Sequence, residues 1–176
     1  PLTRELARTL KAGDSVLLTG TIYTSRDAGH KRMCEALARG EKLPFDPTDA
    51  TIYYVGPTPA KPGQVIGSAG PTTSGRMDPF APRLLDAGLA CMIGKGVRGQ
   101  GVQDAMARNG AVYMVAIGGA GAAKAASIKN VEVIAYDELG CESVKRLTVE
   151  NFSAIVSQDS VGGNLYTEGV AKYKKD

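Results

Sequence analysis

Three cations stand at comparable places in this chain. Arg26 follows the β-rich run Ser15–Thr24 and opens a helical pattern, Arg76 follows the short apolar run Val65–Ala69, and Lys95 follows Leu89–Ile93. Each falls at the carboxyl end of a predicted strand, where open α/β sheets gather their ligand-binding loops. If those strands lie parallel in one sheet, the three cations converge on one edge. That setting suits a small dianion such as a dicarboxylate, because Arg holds a carboxylate bidentately while Lys acts as a point charge. Taken singly, each is as readily a surface cation; their joint placement argues for a site.

The loop around Arg76 adds groups able to move a proton. Residues 70–78, Gly-Pro-Thr-Thr-Ser-Gly-Arg-Met-Asp, pack Thr72 and Thr73 beside a guanidinium. Asp78-Pro79 reads as an N-cap followed by Pro at the first helical position. Such a loop presents free backbone N–H groups and the positive end of a helix dipole to an anion. His30, the only histidine, comes four residues after Arg26 on one predicted helix, so the two point the same way. Arg26 beside it favours the neutral imidazole, which suits a hydrogen-bonding role toward the same anion. The default for a lone histidine is instead a helix-surface or half-buried side chain. Gly118 and Gly119, followed by Ala120, offer a second candidate for anion binding, or serve only close helix–sheet packing.

Other patterns carry less. Gly94-Lys95-Gly96-Val97-Arg98-Gly99 fits G-x-G-x-x-G, yet the next strand ends Ala116-Ile117-Gly118-Gly119 with no acid placed for a ribose hydroxyl. A phosphate-cradling Gly-Lys pair needs Ser or Thr next, and here Gly96 follows Lys95. Cys34 and Cys91 fall in apolar patterns as core fillers. The three cysteines are far apart and odd in number, which argues for reduced thiols, a cytosolic protein and no local metal site.

The elements that must position these groups alternate along the chain. Ser15–Thr24, Thr51–Val55, Val65–Ala69, Leu89–Ile93, Ala111–Ile117 and Val131–Ala135 are predicted strands. Arg26–Arg39 (with Ser25 as N-cap and Gly40 just beyond), Pro79–Asp86, Val102–Arg108 and Ala120–Ala126 are predicted helices. The last third carries only β segments, Val144–Val149 and Ala154–Ser157, then a polar tail whose final residues, 172–176, read as a solvated, partly disordered end. At 176 residues, 43% hydrophobic and 22% charged, the chain is one domain spanning 1–176. A net charge of +3, no Trp and three Phe argue against a nucleic-acid partner. No apolar run approaches the ~20 residues that span a bilayer, and no signal-peptide pattern is seen.

Arg26-Asp27-Ala28-Gly29-His30-Lys31-Arg32, the loop 70–78, Gly94-Lys95-Gly96 and Ile117-Gly118-Gly119 together resemble one family. It is the β subunit, or carboxyl-terminal half, of class I iron–sulfur fumarate hydratases, with the related tartrate dehydratases; the likeness runs from about Leu17 to Asn164. The resemblance implies an α/β fold of a particular kind. This is a three-layer swivelling β/β/α domain with mixed sheets and short helices, where the pattern alone suggests a simple doubly wound sheet. It also implies a division of labour within a hetero-oligomer. A companion α subunit carries the cysteines of a 4Fe–4S cluster, whose open iron acts as a Lewis acid on the departing hydroxyl and a carboxylate. This chain binds no cofactor alone. By similarity Arg26, Arg76 and Lys95 bind the carboxylates of a small dicarboxylate, with His30, Gly118 and Gly119 assisting, and Thr72 removes the proton from the carbon next to a carboxylate. The choice between Thr72 and Thr73 follows the family pattern. Neighbouring cations would stabilise the alkoxide of what is otherwise a poor base. The implied reaction is the hydration of fumarate to (S)-malate, a step of the tricarboxylic acid cycle, with L-tartrate dehydration as the alternative. A stand-alone anion-binding or regulatory module is the alternative of another class.

Overall fold

Three short runs, Thr51–Tyr53, Cys91–Gly94 and Val112–Ala116, form strands β2, β3 and β4 and pair parallel to one another. They show little polar alternation because both faces are covered, as parallel sheets require. β1 (Ser15–Thr24) joins β2, also parallel, through Tyr23 and Thr24. The computed structural model describes residues 1–67, 69–116 and 125–165. Within them, β5 (Ile128–Ala135) and the 15-residue β6 (Val144–Gln158) run antiparallel. The strand order is β1-β2-β3-β4-β6-β5, and β6 pairs along β1 as well. Helices α1 (Arg4–Ala7), α2 (Asp27–Ala38), α3 (Ala81–Ala87) and α4 (Gln100–Asn109) make the fold mixed α/β. None of the described helices is long and apolar enough to cross a membrane.

Successive side chains of a strand point to opposite faces, and the core divides accordingly. Tyr53, Ile93 and Met114 join Leu18, Ile22, Leu147 and Phe152 from β1 and β6 in one buried cluster. Ile52, Met92 and Tyr113, one residue out of step, join Met33, Leu84, Leu85, Val102 and Met106 from α2, α3 and α4 in another. The helices are short because their ends are fixed chemically. Asp27 lies in the first turn of α2, where the dipole favours a carboxylate, and Gly110 closes α4 in the left-handed conformation with φ 72°.

Several expectations meet a different outcome. Val65–Ala69 is not a strand: residues 65–67 are bends, Val65 is exposed, and Ser68 lies outside the described residues. The stretch is crowded by Pro57, Pro59 and Pro62, and Gly63 turns it with φ 82°. Side-chain ties hold it instead, as where Tyr53 Oη donates to the Ala69 carbonyl at 2.5 Å. The two predicted segments of the last third are one strand, β6. Its register against β1 slips between Leu18/Phe152 and Gly20/Val149, leaving Glu150 and Asn151 as a bulge. Asn151 adopts φ 53° and its N–H donates to Thr19 Oγ1 at 3.0 Å. Those two polar residues are what made one strand read as two. The predicted helix Ala120–Ala126 falls largely, and the polar tail 172–176 wholly, outside the described residues.

Candidate active site

Because β1 to β4 run parallel, their carboxyl ends share one edge. Arg26 leaves β1 as the N-cap of α2, with extended backbone (φ −122°, ψ −162°). Its side chain lies over Gly56, just beyond β2: a Cβ there would come within 2.8 Å of Arg26 Cδ and 2.9 Å of Nη1. The glycine therefore makes the slot that holds the guanidinium. Arg26 Nε is buried with no partner. The wall of the slot is the turn Asp137–Glu142, whose Cys141 carbonyl faces the same point at 3.4 Å. Lys145, almost fully buried on β6, braces that turn by donating to the carbonyls of Gly140, Cys141 and Ser143 and to Ser143 Oγ. Burial holds its ammonium below the usual lysine range.

The loop 70–78 reaches this edge from β2 by backbone bonds. Thr72 N–H donates to the Tyr54 carbonyl at 2.7 Å, and Ser74 N–H to the Lys95 carbonyl at 2.9 Å. Thr73 forms an isolated parallel bridge with Lys95. Thr72 is half-buried, whereas Thr73 and the Lys95 side chain are exposed. Beneath them Ser74 Oγ donates to Tyr113 Oη at 2.7 Å, and Tyr113 Oη donates to the Gly96 carbonyl at 2.8 Å. Arg76 projects from a single 3-10 turn, Ser74–Met77, and is half-exposed. Both its Nε and Nη2 meet Asp27 Oδ2 at 2.9 Å. That pair joins the loop to the residue beside Arg26. Contact by contact, Arg26, Thr72, Arg76 and Lys95 are thus brought to one edge. Gly118 and Gly119 lie outside the described residues.

His30 has a different place from the one expected. Its ring is fully buried, against Tyr54 at 5.2 Å between centroids, rather than on the helix surface. Nδ1 lies 2.9 Å from the Arg26 carbonyl and 2.8 Å from Ser25 Oγ. A carbonyl only accepts, so the contact assigns the proton to Nδ1 and leaves Nε2 bare; Nε2 is buried without a partner. Ser25, expected as the N-cap of α2, binds this ring instead, and Arg26 is the N-cap. The imidazole is neutral, its pKa pushed down to about 4, chiefly by burial, with the Arg98 guanidinium contributing in the same direction. Arg26, the expected cause, enters through its carbonyl, which pulls the other way. Between the ordinary 6.5 and about 4 the unfolded chain holds a proton that the folded one refuses. Stability should therefore fall with pH across that window, by at most about 1.4 kcal/mol per pH unit. Thermal unfolding from pH 7 to pH 4 should show this slope in the native chain and lose most of it in His30→Gln.

Asp78, read as a helix N-cap, and Arg98, read as part of a glycine pattern, prove central. Asp78 does not start a helix: it follows the 3-10 turn, and α3 begins at Ala81. Its Oδ2 accepts the Gly99 N–H at 2.7 Å at the start of α4, and its Oδ1 accepts Arg98 Nε at 2.8 Å. Arg98, read only as part of a glycine pattern, is almost fully buried. The signal that could have found the pair is an acid closing one loop and an arginine closing the next, each beside a helix start.

Among the described residues, no group of three or more His, Cys, Asp or Glu side chains is arranged to hold a metal. Cys34 and Cys91 are free and buried, and Cys141 is free and exposed. The donors that an iron–sulfur cluster needs are not assembled among these residues.

Residues 1–169 match the fumarase C-terminus family. The chain is 41% identical over 157 residues to the class I anaerobic fumarate hydratase of Escherichia coli (strain K12), covering 88% of this chain and 29% of that protein. It is 38% identical over 161 residues to fumarate hydratase 2 of Leishmania major, covering 90% of this chain and 28% of that protein. It is 39% identical over 173 residues to a Methanocaldococcus jannaschii protein with the provisional name L(+)-tartrate dehydratase subunit beta, covering 95% and 89%. The chain thus spans under a third of the fumarate hydratases it matches and most of the separate subunit.

Proposed function

This chain belongs to the fumarase C-terminus family, and on that premise we propose that it is the β subunit of an iron–sulfur hydro-lyase that reversibly hydrates fumarate to (S)-malate. The observation that supports the reading is that the segments bearing Arg26, Thr72, Arg76 and Lys95 lie at one strand edge. Arg26 and Arg76 would each take a carboxylate through a planar fork, with Lys95 as a mobile point charge. Arg76 must then leave or share Asp27, an exchange between anions that needs little net energy at a half-exposed site. Thr72 would take the proton from the carbon beside a carboxylate, its alkoxide stabilised by the same cations. His30, sealed beneath Arg26, would act by holding the Arg26 carbonyl and so the direction of its side chain.

The same reading supplies the rest of the assembly. The cluster would come from an α subunit, and this chain would be one three-layer swivelling β/β/α domain docked against it. The two buried clusters on opposite faces of β2 to β4 support that layering. A second substrate, L(+)-tartrate, is favoured by one observation: the relative named for it is matched over 89% of its length, as a separate subunit.

Reconstitution tests both. The purified chain, mixed with a cognate cluster-bearing α subunit, should interconvert (S)-malate and fumarate, followed by fumarate absorbance. Oxaloacetate formed from L(+)-tartrate alone would move the assignment to the second substrate. No turnover of either would end the enzyme reading in favour of an anion-binding module, and turnover by this chain alone would overturn the split site.

A further inference from the structure

Arg98 has no part in the chemistry proposed above, yet it is buried, with Nη2 left without a hydrogen-bond partner. Its side chain has 0% exposure, and its guanidinium carbon lies between two tyrosine rings, 5.1 Å from the centroid of Tyr54 and 5.0 Å from that of Tyr113. Nε donates to Asp78 Oδ1 at 2.8 Å and Nη1 to Met92 Sδ at 3.4 Å. Asp78 closes the loop that carries Thr72 and Arg76; Arg98 and Gly99 close the loop that carries Lys95. One carboxylate, taking Arg98 Nε and the Gly99 N–H, therefore fastens the two loops at their far ends. Tyr113 serves both fastenings, with its ring against Arg98 and its hydroxyl between Ser74 and Gly96.

Stability alone does not call for an arginine here. A buried ion pair loses so much hydration that apolar groups in place of both partners often hold a core as well or better. What an apolar group lacks is direction: it can slide, whereas a planar guanidinium between two rings, bonded through Nε to a carboxylate, permits one registration. We propose that Arg98 is a positioning residue of the active site, fixing through Asp78 the Thr72–Arg76 loop against Lys95. The proposal rests on the hydro-lyase reading for its kinetic readout but not for its structural one.

Arg98→Met in the assembled enzyme tests it. With (S)-malate, kcat should fall and KM rise, lowering kcat/KM on the order of 10²-fold, while the melting temperature drops because Asp78 loses its partner. Arg98→Lys restores charge without the fork and should recover KM more fully than kcat. In the full chain, hydrogen exchange at the Ser74 and Gly99 amides should quicken by about tenfold or more in Arg98→Met, while the amides of β6 stay unchanged. Should Arg98→Met fail to fold, the isosteric Asp78→Asn carries the same expectations. Native kcat and KM in a folded variant would overturn the proposal. If the unmodified pair turns over neither dicarboxylate, the hydro-lyase reading fails by itself; exchange then decides, and native protection at Ser74 and Gly99 would overturn the positioning role.

Discussion

Thr72→Ala should lower kcat of the assembled enzyme by about 10²- to 10⁴-fold, the range a positioned general base contributes, while KM for (S)-malate changes little. The cations proposed to grip the substrate would remain in place, so what is lost would act only as the proton leaves. Thr73→Ala is the control. Thr73 touches Lys95 through its backbone and is exposed, so removing its hydroxyl should leave most of the rate. Arg76→Ala should differ from both by raising KM, because a carboxylate loses its fork as well as its charge. Steady-state kinetics on the three variants separates the roles. A Thr72→Ala enzyme that keeps most of its turnover places the base elsewhere, and equal losses in both threonine variants would make the loop's shape, not one hydroxyl, the source of rate.

Gly94→Ala should do heavy damage for a single methyl group. A Cβ there overlaps Ser74 Oγ and comes within 2.9 Å of Tyr54 Cδ2. The ring is packed in the core and the hydroxyl is held by Tyr113, so neither yields without breaking a contact. Overpacking of this kind costs about 1–3 kcal/mol, visible as a lower unfolding midpoint. The kinetic loss should be larger than the thermal one suggests, since Ser74 lies between Thr72 and Arg76 and a shift near 1 Å can cost on the order of 10²-fold. Adding Ser74→Gly removes the clash but also the hydroxyl relay, and should restore stability more than activity. Native stability and kcat/KM in Gly94→Ala would mean that the loop adapts, and that its hold on β3 is not what sets the geometry.

How much of this was legible depends on whether a residue's partners are local. Arg26 and Lys95 could be located because strand ends are marked by composition, and a parallel sheet turns that marking into a shared edge. Arg76 came out at the right edge for a different reason than expected, since backbone bonds to Tyr54 and Lys95 carry its loop there without a strand before it. Asp78-Pro79 has the local chemistry of a helix start, but the carboxylate answers to Arg98 and Gly99, about twenty residues on. His30 sits on a helix at a spacing that fits either a surface or a buried face, and only the packing of Tyr54 and Phe80 against it decides. Arg98 reads as a surface cation in any window of sequence, because a buried guanidinium is recognised by rings and a carboxylate from three other segments.

The long strand β6 also governs when the protein can form. Along its length it completes β1, and the contact from Asn151 to Thr19 spans 132 residues of chain. Until β6 leaves the ribosome, β1 lacks its longest partner, and Leu18 and Ile22 lack Leu147 and Phe152 from their cluster. Such distant pairings make folding slow and keep strand edges open in the meantime. The amino-terminal half, with two of the three cations already in sequence, must wait as an unfinished chain with β1's edge open to other strands.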